Sequence, residues 1–172
     1  GPILAQKKIK LAKDETLESL HDKLAIKGAQ ALETTLKKYI GGRIKPRAQK
    51  EDQASYVKII QKEDGHINWS EDAKQIERKI RAFNPWPGTF SYLSDEKLKL
   101  DQIMFKIKAA RLEPVKVNSR QIGELFLYNS ALAVQCGQNS LVIIKLQLEG
   151  KRAMEVDEFL RGNHSIIGRI LN

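Results

Sequence analysis

The chain has 172 residues, 41% of them hydrophobic, which is enough to bury a core and excludes wholesale disorder. No apolar run approaches the roughly 18 residues of a membrane-spanning helix, and no signal peptide opens the chain. The formal net charge of +9 favours a polyanionic partner such as nucleic acid.

The cysteine content and the first residues indicate the setting of the protein. Cys136 is the single cysteine, so no internal disulfide can form, which fits a reducing cytosol and a cytoplasmic protein. Its apolar neighbours Leu132 and Val134 predict a buried thiol on a strand. The chain opens on Gly1 without an initiator Met, and we therefore expect a processed product of a longer protein.

The first 42 residues predict one strand and one helix. Residues 1–12 hold the apolar Ile3, Ile9 and Leu11 with lysines among them, which predicts the last strand of a sheet whose other members lie upstream. Thr16 or Asp14 can cap the helix that follows, Gly28 can interrupt it, and Gly41-Gly42 ends it.

The next segment, over about residues 41–62, lacks periodicity and predicts a linker. Residues 37–62 hold eight basic and two acidic side chains, a local charge of +6. Positive charge is therefore concentrated where two folded parts join. The basic residues are Lys37, Lys38, Arg43, Lys45, Arg47, Lys50, Lys58 and Lys62.

A second domain begins near Gln61. The pair Asp64-Gly65 predicts a turn, and Ser70 predicts the N-cap of a helix that ends before Asn-Pro-Trp-Pro-Gly at 84–88. Physical reasoning places Phe83 and Trp86 in the packing between this helix and the sheet.

The remainder has the period-two pattern of strands. Turns are predicted at residues 129–130 and 137–139, and a last short helix at 155–161. Five short strands with a helix suit a small closed barrel such as an OB-fold. The predicted strands are 89–93, 97–108, 122–129, 131–136 and 141–148.

Motifs for catalysis are missing from the sequence. The histidines His21, His66 and His164 lie in separate segments, without a nucleophile at a recognisable spacing. One cysteine and scattered histidines cannot supply a zinc site, and no glycine-rich phosphate loop is present. We therefore assign no catalytic, cofactor-binding or metal-binding residue in this chain.

Residues 80–88 read Ile-Arg-Ala-Phe-Asn-Pro-Trp-Pro-Gly, and residues 1–6, 63–69 and 150–154 carry further motifs. In chain order, these four segments resemble those of methionyl-tRNA formyltransferases, and residues 80–88 give the most specific match. Residues 63–69 are similar to the family's Glu-Asp-Gly-x-Ile-x-Trp, and residues 1–6 to its Gly-Pro-Ile-Leu-Ala-Gln. Residues 150–154, with Phe159 and Leu160, resemble its Gly-Lys-Lys-Ala-Met followed by Phe-Leu.

The resemblance implies an α+β architecture in three parts. Residues 1–42 would be the end of a doubly wound formyltransferase domain (a remnant strand and helices), and residues 43–62 a basic linker. Residues 63–172 would be an OB-fold-like five-stranded β-barrel with flanking helices. The family's catalytic Asn-x-His pair and Asp have no counterpart here, so this fragment alone is expected to be inactive.

The resemblance also implies partners. The parent enzyme would use 10-formyltetrahydrofolate as formyl donor, with an upstream catalytic domain of the same protein. The present chain, expected to be a monomer, would bind initiator methionyl-tRNA and no membrane. Basic side chains suit this role because they neutralise phosphates. The predicted tRNA-binding residues are Lys45, Arg47, Lys50, Lys58, Arg78, Arg81, Lys151 and Arg152.

Other interpretations stay open at this point. These cations could be solvated surface charge, and the strand lysines Lys97, Lys99, Lys106 and Lys108 are expected to face solvent or protect an edge. The chain could be a stand-alone OB-type RNA-binding module, in which case the natural product would have a mass near 19.5 kDa. It could also come from a formyltransferase relative acting on a folate or a nucleotide sugar.

Overall fold

The computed structural model of the protein describes residues 1–95, 100–113 and 120–172. These residues form two compact units, Gly1–Ile59 and Ile60–Asn172.

The first unit is built around helix α1, Leu17–Ile40. Its N-cap is Thr16, one of the two residues predicted to cap it. The Ser19 N–H donates to Thr16 Oγ1 at 3.1 Å and the Thr16 N–H donates to Ser19 Oγ at 3.0 Å, a reciprocal cap. The helix continues through Gly28 and ends at Gly41. None of its residues is buried within the described chain.

Glu15 fixes the chain just before α1. Its carboxylate accepts hydrogen bonds from Lys23 Nζ at 2.7 Å, from Ser19 Oγ, and from the Ala12 N–H at 3.1 Å. These bonds lower the pKa of Glu15 from its ordinary 4.5 to about 2. The stabilisation is therefore present above about pH 4.5 and lost as the pH falls towards 2.

Residues 1–12, predicted as the last strand of a sheet, have no regular secondary structure within the given chain. Their pairing here is one isolated bridge between Ile3 and Arg47. The two backbone hydrogen bonds of the bridge are 2.7 and 2.9 Å long. A strand needs a partner along its length, and the partners predicted for this one were assigned to an upstream segment, so it stays a prediction. Residues 43–61 are irregular, apart from the bridge at Arg47 and a 3-10 turn at Glu51–Gln53.

The second unit begins with a 3-10 turn at Lys62–Gly65, followed by helix α2, Ala73–Phe83. The predicted N-cap, Ser70, is wrong by two residues. Asp72 caps the helix, and its carboxylate accepts a hydrogen bond from the Lys74 N–H at 3.1 Å. Ser70 instead donates its hydroxyl to Asn68 at 2.7 Å. A carboxylate also suits the positive end of the helix dipole better than a hydroxyl.

An antiparallel sheet follows, with the strands β1 Thr89–Asp95, β2 Leu100–Glu113, β3 Leu125–Tyr128, β4 Ala131–Gln135, β5 Ser140–Leu148 and β6 Met154–Glu155. The strand order is β1-β2-β5-β4-β3, with β6 paired to β5. Each of the five predicted strands is present, but β2 runs five residues past its predicted end, and residues 97–99 of that prediction lie outside the described residues. The two-residue β6 has too little pattern to be predicted.

The core of the second unit lies between one face of the sheet and two helices, α2 and the short α3, Val156–Leu160. Phe105 on β2 is fully buried and meets Phe159 of α3 edge to face, with ring centroids 5.9 Å apart. Cys136 is buried as predicted, and burial raises the pKa of its thiol to about 12. Trp86 was expected in the packing between the helix and the sheet but is 57% exposed.

The tail of the chain connects the two edge strands of the sheet. Leu171 forms bridges with Leu93 on β1, and Ile170 with Glu124 just before β3. The Tyr92 N–H donates to the Asn172 carbonyl at 2.8 Å, on the other side of β1 from β2. This pairing covers backbone groups that an open sheet edge would expose.

Candidate nucleic-acid interface

The predicted tRNA-binding residues fall in both units. Lys45, Arg47, Lys50 and Lys58 belong to the first unit, and the other four to the second. In the first unit, the side chains of Lys45, Arg47 and Lys50 are exposed, and none forms an ion pair within the described part of the chain. Exposed cations that form no ion pair keep their charge available for an anion.

The backbone around these three cations is held at two points. The Arg47 main chain pairs with Ile3, and Gln49 Nε2 donates to the Gly1 carbonyl at 2.7 Å. Proline at position 46 further restricts the segment. The backbone that carries the three cations is therefore held in place by hydrogen bonds, while their long side chains can still adjust to phosphates.

In the second unit the predicted cations differ in availability. Arg78 is exposed on α2 and has no ion pair within residues 60–95, 100–113 and 120–172. Arg81 contacts Glu77 one turn earlier through two hydrogen bonds of 2.5 and 3.1 Å. Lys151 is exposed after β5, and Arg152 donates to Glu158. Arg81 and Arg152 would have to share or break an ion pair to bind a phosphate.

The structure brings together one group that sequence reasoning did not assign. His66, Phe90 and Tyr92 form a cluster of rings with centroids 5.5–5.7 Å apart. Lys106 lies opposite Phe90 across the β1–β2 pair. The alternation of Phe90 and Tyr92 could have indicated a shared face, but the approach of His66 could not be foreseen.

The described residues contain no group of three or more His, Cys, Asp or Glu that could hold a metal ion. They also contain no helix that is both long and apolar enough to cross a lipid bilayer.

Comparison with known proteins decides the family. Residues 59–164 match the family described as "Formyl transferase, C-terminal domain". The chain belongs to the formyl transferase C-terminal domain family. The match covers α2, α3 and the whole sheet, and stops before the tail that joins β1 to the start of β3.

Curated relatives of this family member are named methionyl-tRNA formyltransferase. The protein of Caldanaerobacter subterraneus subsp. tengcongensis is 37% identical over 99% of this chain and 53% of its own length. The protein of Myxococcus xanthus is 35% identical over 95% of this chain and 49% of its own length. The protein of Marinobacter nauticus is 33% identical over 100% of this chain and 54% of its own length. The chain thus spans about half the length of the relatives it matches.

Solved structures share the fold. HypX from Aquifex aeolicus, in complex with tetrahydrofolic acid, gives a TM-score of 0.64 at 18% identity, over 93% of this chain and 27% of HypX. A HypX variant with several substitutions gives a TM-score of 0.63 at 18% identity, over 93% of this chain and 28% of HypX. At this identity the likeness concerns the fold alone.

Proposed function

We propose that this chain is the C-terminal part of a methionyl-tRNA formyltransferase and that it holds the tRNA. In the proposed reaction the formyl group passes from 10-formyltetrahydrofolate to the amino group of methionyl initiator tRNA, which loses a proton. The products are formylmethionyl-tRNA and tetrahydrofolate. The names of the curated relatives support the activity, and the catalytic groups are assigned to an upstream domain of the same protein.

The proposal divides the chain as the sequence suggests. Residues 1–42 would complete the formyltransferase domain, residues 43–62 would serve as the basic linker, and residues 63–172 as an OB-like barrel. The joining of β1 and the start of β3 through the tail supports a closed sheet of this kind. Cytoplasmic location and a monomeric state remain predictions.

The observation that carries the proposal is the exposed positive charge of the linker. Residues 37–62 contribute +6 of the net +9, and Lys45, Arg47 and Lys50 project from a braced backbone without ion pairs in the described chain. Such cations release counterions when they meet phosphates, which gives salt-dependent affinity. Binding of this kind places the reacting amine near the formyl donor and so lowers the entropic cost of the reaction.

The linker assignment predicts the behaviour of a triple variant, Lys45→Ala, Arg47→Ala and Lys50→Ala. We expect its affinity for methionyl initiator tRNA to fall at least tenfold in moderate salt. The slope of log affinity against log salt should become shallower by about two to three, because each lost phosphate contact removes about 0.7–0.9. Filter binding over a salt series measures both quantities.

The control is a second triple variant, Lys7→Ala, Lys8→Ala and Lys10→Ala. These three lysines are also exposed in the first unit, and replacing them with alanine removes the same amount of positive charge. We expect this variant to bind nearly as tightly as the unmodified chain. Equal losses in the two variants would mean that net charge alone attracts tRNA, and the linker assignment would be wrong.

A further inference from the structure

The outer face of the sheet carries rings that do not belong to the main core. On β1, Leu93 packs in the core and Ser91 accepts a hydrogen bond from buried Trp69 at 2.9 Å, so the alternate residues Phe90 and Tyr92 point outward. Phe90 is only 7% exposed, yet it lies outside both hydrophobic clusters of the described chain. The His66 ring covers it instead.

His66 is held in this position by its own backbone and ring. The residue pairs with Phe90 beside β1, and the next N–H, of Ile67, donates to the Phe90 carbonyl at 2.9 Å. Lys79 Nζ donates to the His66 carbonyl at 2.7 Å, and His66 Nε2 lies 3.2 Å from the Asn172 carbonyl oxygen. The His66 ring is therefore fixed, although the residue is exposed.

Positive charge lies beside the rings. Phe105 and Ile107 of β2 are core residues, so Lys106 points to the same outer face as Phe90 and Tyr92. Its cross-strand neighbours are Phe90 on β1 and the uncharged Gln147 on β5. Lys106 has no ion pair within the described residues of the second unit.

We propose that this aromatic-basic face, made of His66, Phe90, Tyr92 and Lys106, binds an unpaired stretch of the RNA. A base stacks on the rings of Tyr92 and His66, and Lys106 contacts the adjoining phosphate. Aromatic rings recognise the faces of unstacked bases, which a duplex does not offer, and a neighbouring cation follows the backbone. The inference rests on the proposed function and adds a second contact to it, separate in kind from the phosphate contacts of the linker.

Two substitutions at Tyr92 test the stacking. The probe is a short single-stranded oligoribonucleotide carrying a fluorescent adenine analogue, whose emission falls when it stacks. Tyr92→Phe keeps the ring, so quenching and affinity should match those of the unmodified chain. Tyr92→Leu keeps an apolar side chain without a ring, so quenching should disappear and affinity should fall about tenfold. A blunt RNA duplex should bind both variants equally.

Lys106 gives an independent test with its own control. Lys106→Gln should weaken oligoribonucleotide binding several-fold and make the salt slope shallower by about 0.7, as for one phosphate contact on a single strand; Lys106→Arg should restore both. Arg161→Gln removes an exposed charge next to α3, which packs on the opposite face of the sheet through Phe159, and should change nothing.

The outcomes separate the two proposals. Suppose that the linker triple variant binds tRNA more weakly than the unmodified chain, but that Tyr92→Leu quenches the probe as strongly as Tyr92→Phe. The assignment of RNA binding to the aromatic-basic face is then wrong, and the linker assignment stands. If the chain binds no tRNA, the proposed function fails first. A change of oligomeric state in Tyr92→Leu, seen by sedimentation, would show that the face binds a second copy of the chain and would overturn the RNA assignment.

Discussion

Replacing Phe105 with alanine is expected to destabilise the second unit by about 3–5 kcal/mol. Phe105 is fully buried on β2 near the middle of the sheet, and its ring packs edge to face against Phe159. Removing the ring exchanges buried apolar area for a cavity that neighbouring strands cannot fill, because they are fixed by backbone pairing. Chemical denaturation followed by circular dichroism measures the change in the free energy of unfolding.

The matched control for Phe105→Ala is Trp86→Ala. Trp86 is an even larger aromatic side chain in the same unit, but it is 57% exposed. Its replacement should cost no more than about 0.5–1 kcal/mol. A cost for Trp86→Ala as large as that for Phe105→Ala would contradict the burial described for these two residues and would favour the packing role first expected of Trp86.

Replacing Gly123 with alanine should cost about 3 kcal/mol, because two penalties act at one position. The Gly123 backbone has φ +82°, a left-handed conformation, and a Cβ there would lie 2.2 Å from the Leu171 carbonyl oxygen. The Leu171 N–H also donates to the Gly123 carbonyl at 2.9 Å. The substitution therefore opposes both the local conformation and the approach of the tail.

Gly150→Ala separates these two penalties. Gly150 has φ +71°, but a Cβ there would meet no atom within 4 Å. Its replacement should cost only the conformational part, about 1–2 kcal/mol. Equal costs at the two glycines, measured by the same denaturation experiment, would mean that the tail does not pack against Gly123 as the structure has it.

Local chemistry was enough to predict several elements. The turn at Asn129 and Ser130 was predicted from composition, and both residues take positive φ between β3 and β4, as a two-residue hairpin turn needs. Thr16 and Gly41 bound α1 for similarly local reasons. The concentration of positive charge around Lys45 could also be found from the sequence, because it requires only a count of basic and acidic residues.

Contacts between distant parts of the chain could not be predicted in this way. The tail pairs Leu171 with Leu93 through single bridges, which are too short to leave a periodic pattern. His66 reaches Phe90 from a turn before α2, so that face depends on tertiary packing. The strand expected over residues 1–12 depends on partners outside the given sequence, and within the described chain its pairing is limited to the bridge between Ile3 and Arg47.

The central claim is that this chain binds tRNA through exposed cations, and the salt dependence of its affinity tests that most directly. The unmodified chain is titrated with methionyl initiator tRNA and with polyphosphate of similar charge, by filter binding at increasing salt. The account predicts tighter binding of tRNA than of polyphosphate, with an affinity for tRNA that falls steeply and linearly on logarithmic axes. Absence of tRNA binding in dilute buffer, or equal affinity for the two polyanions, would contradict it.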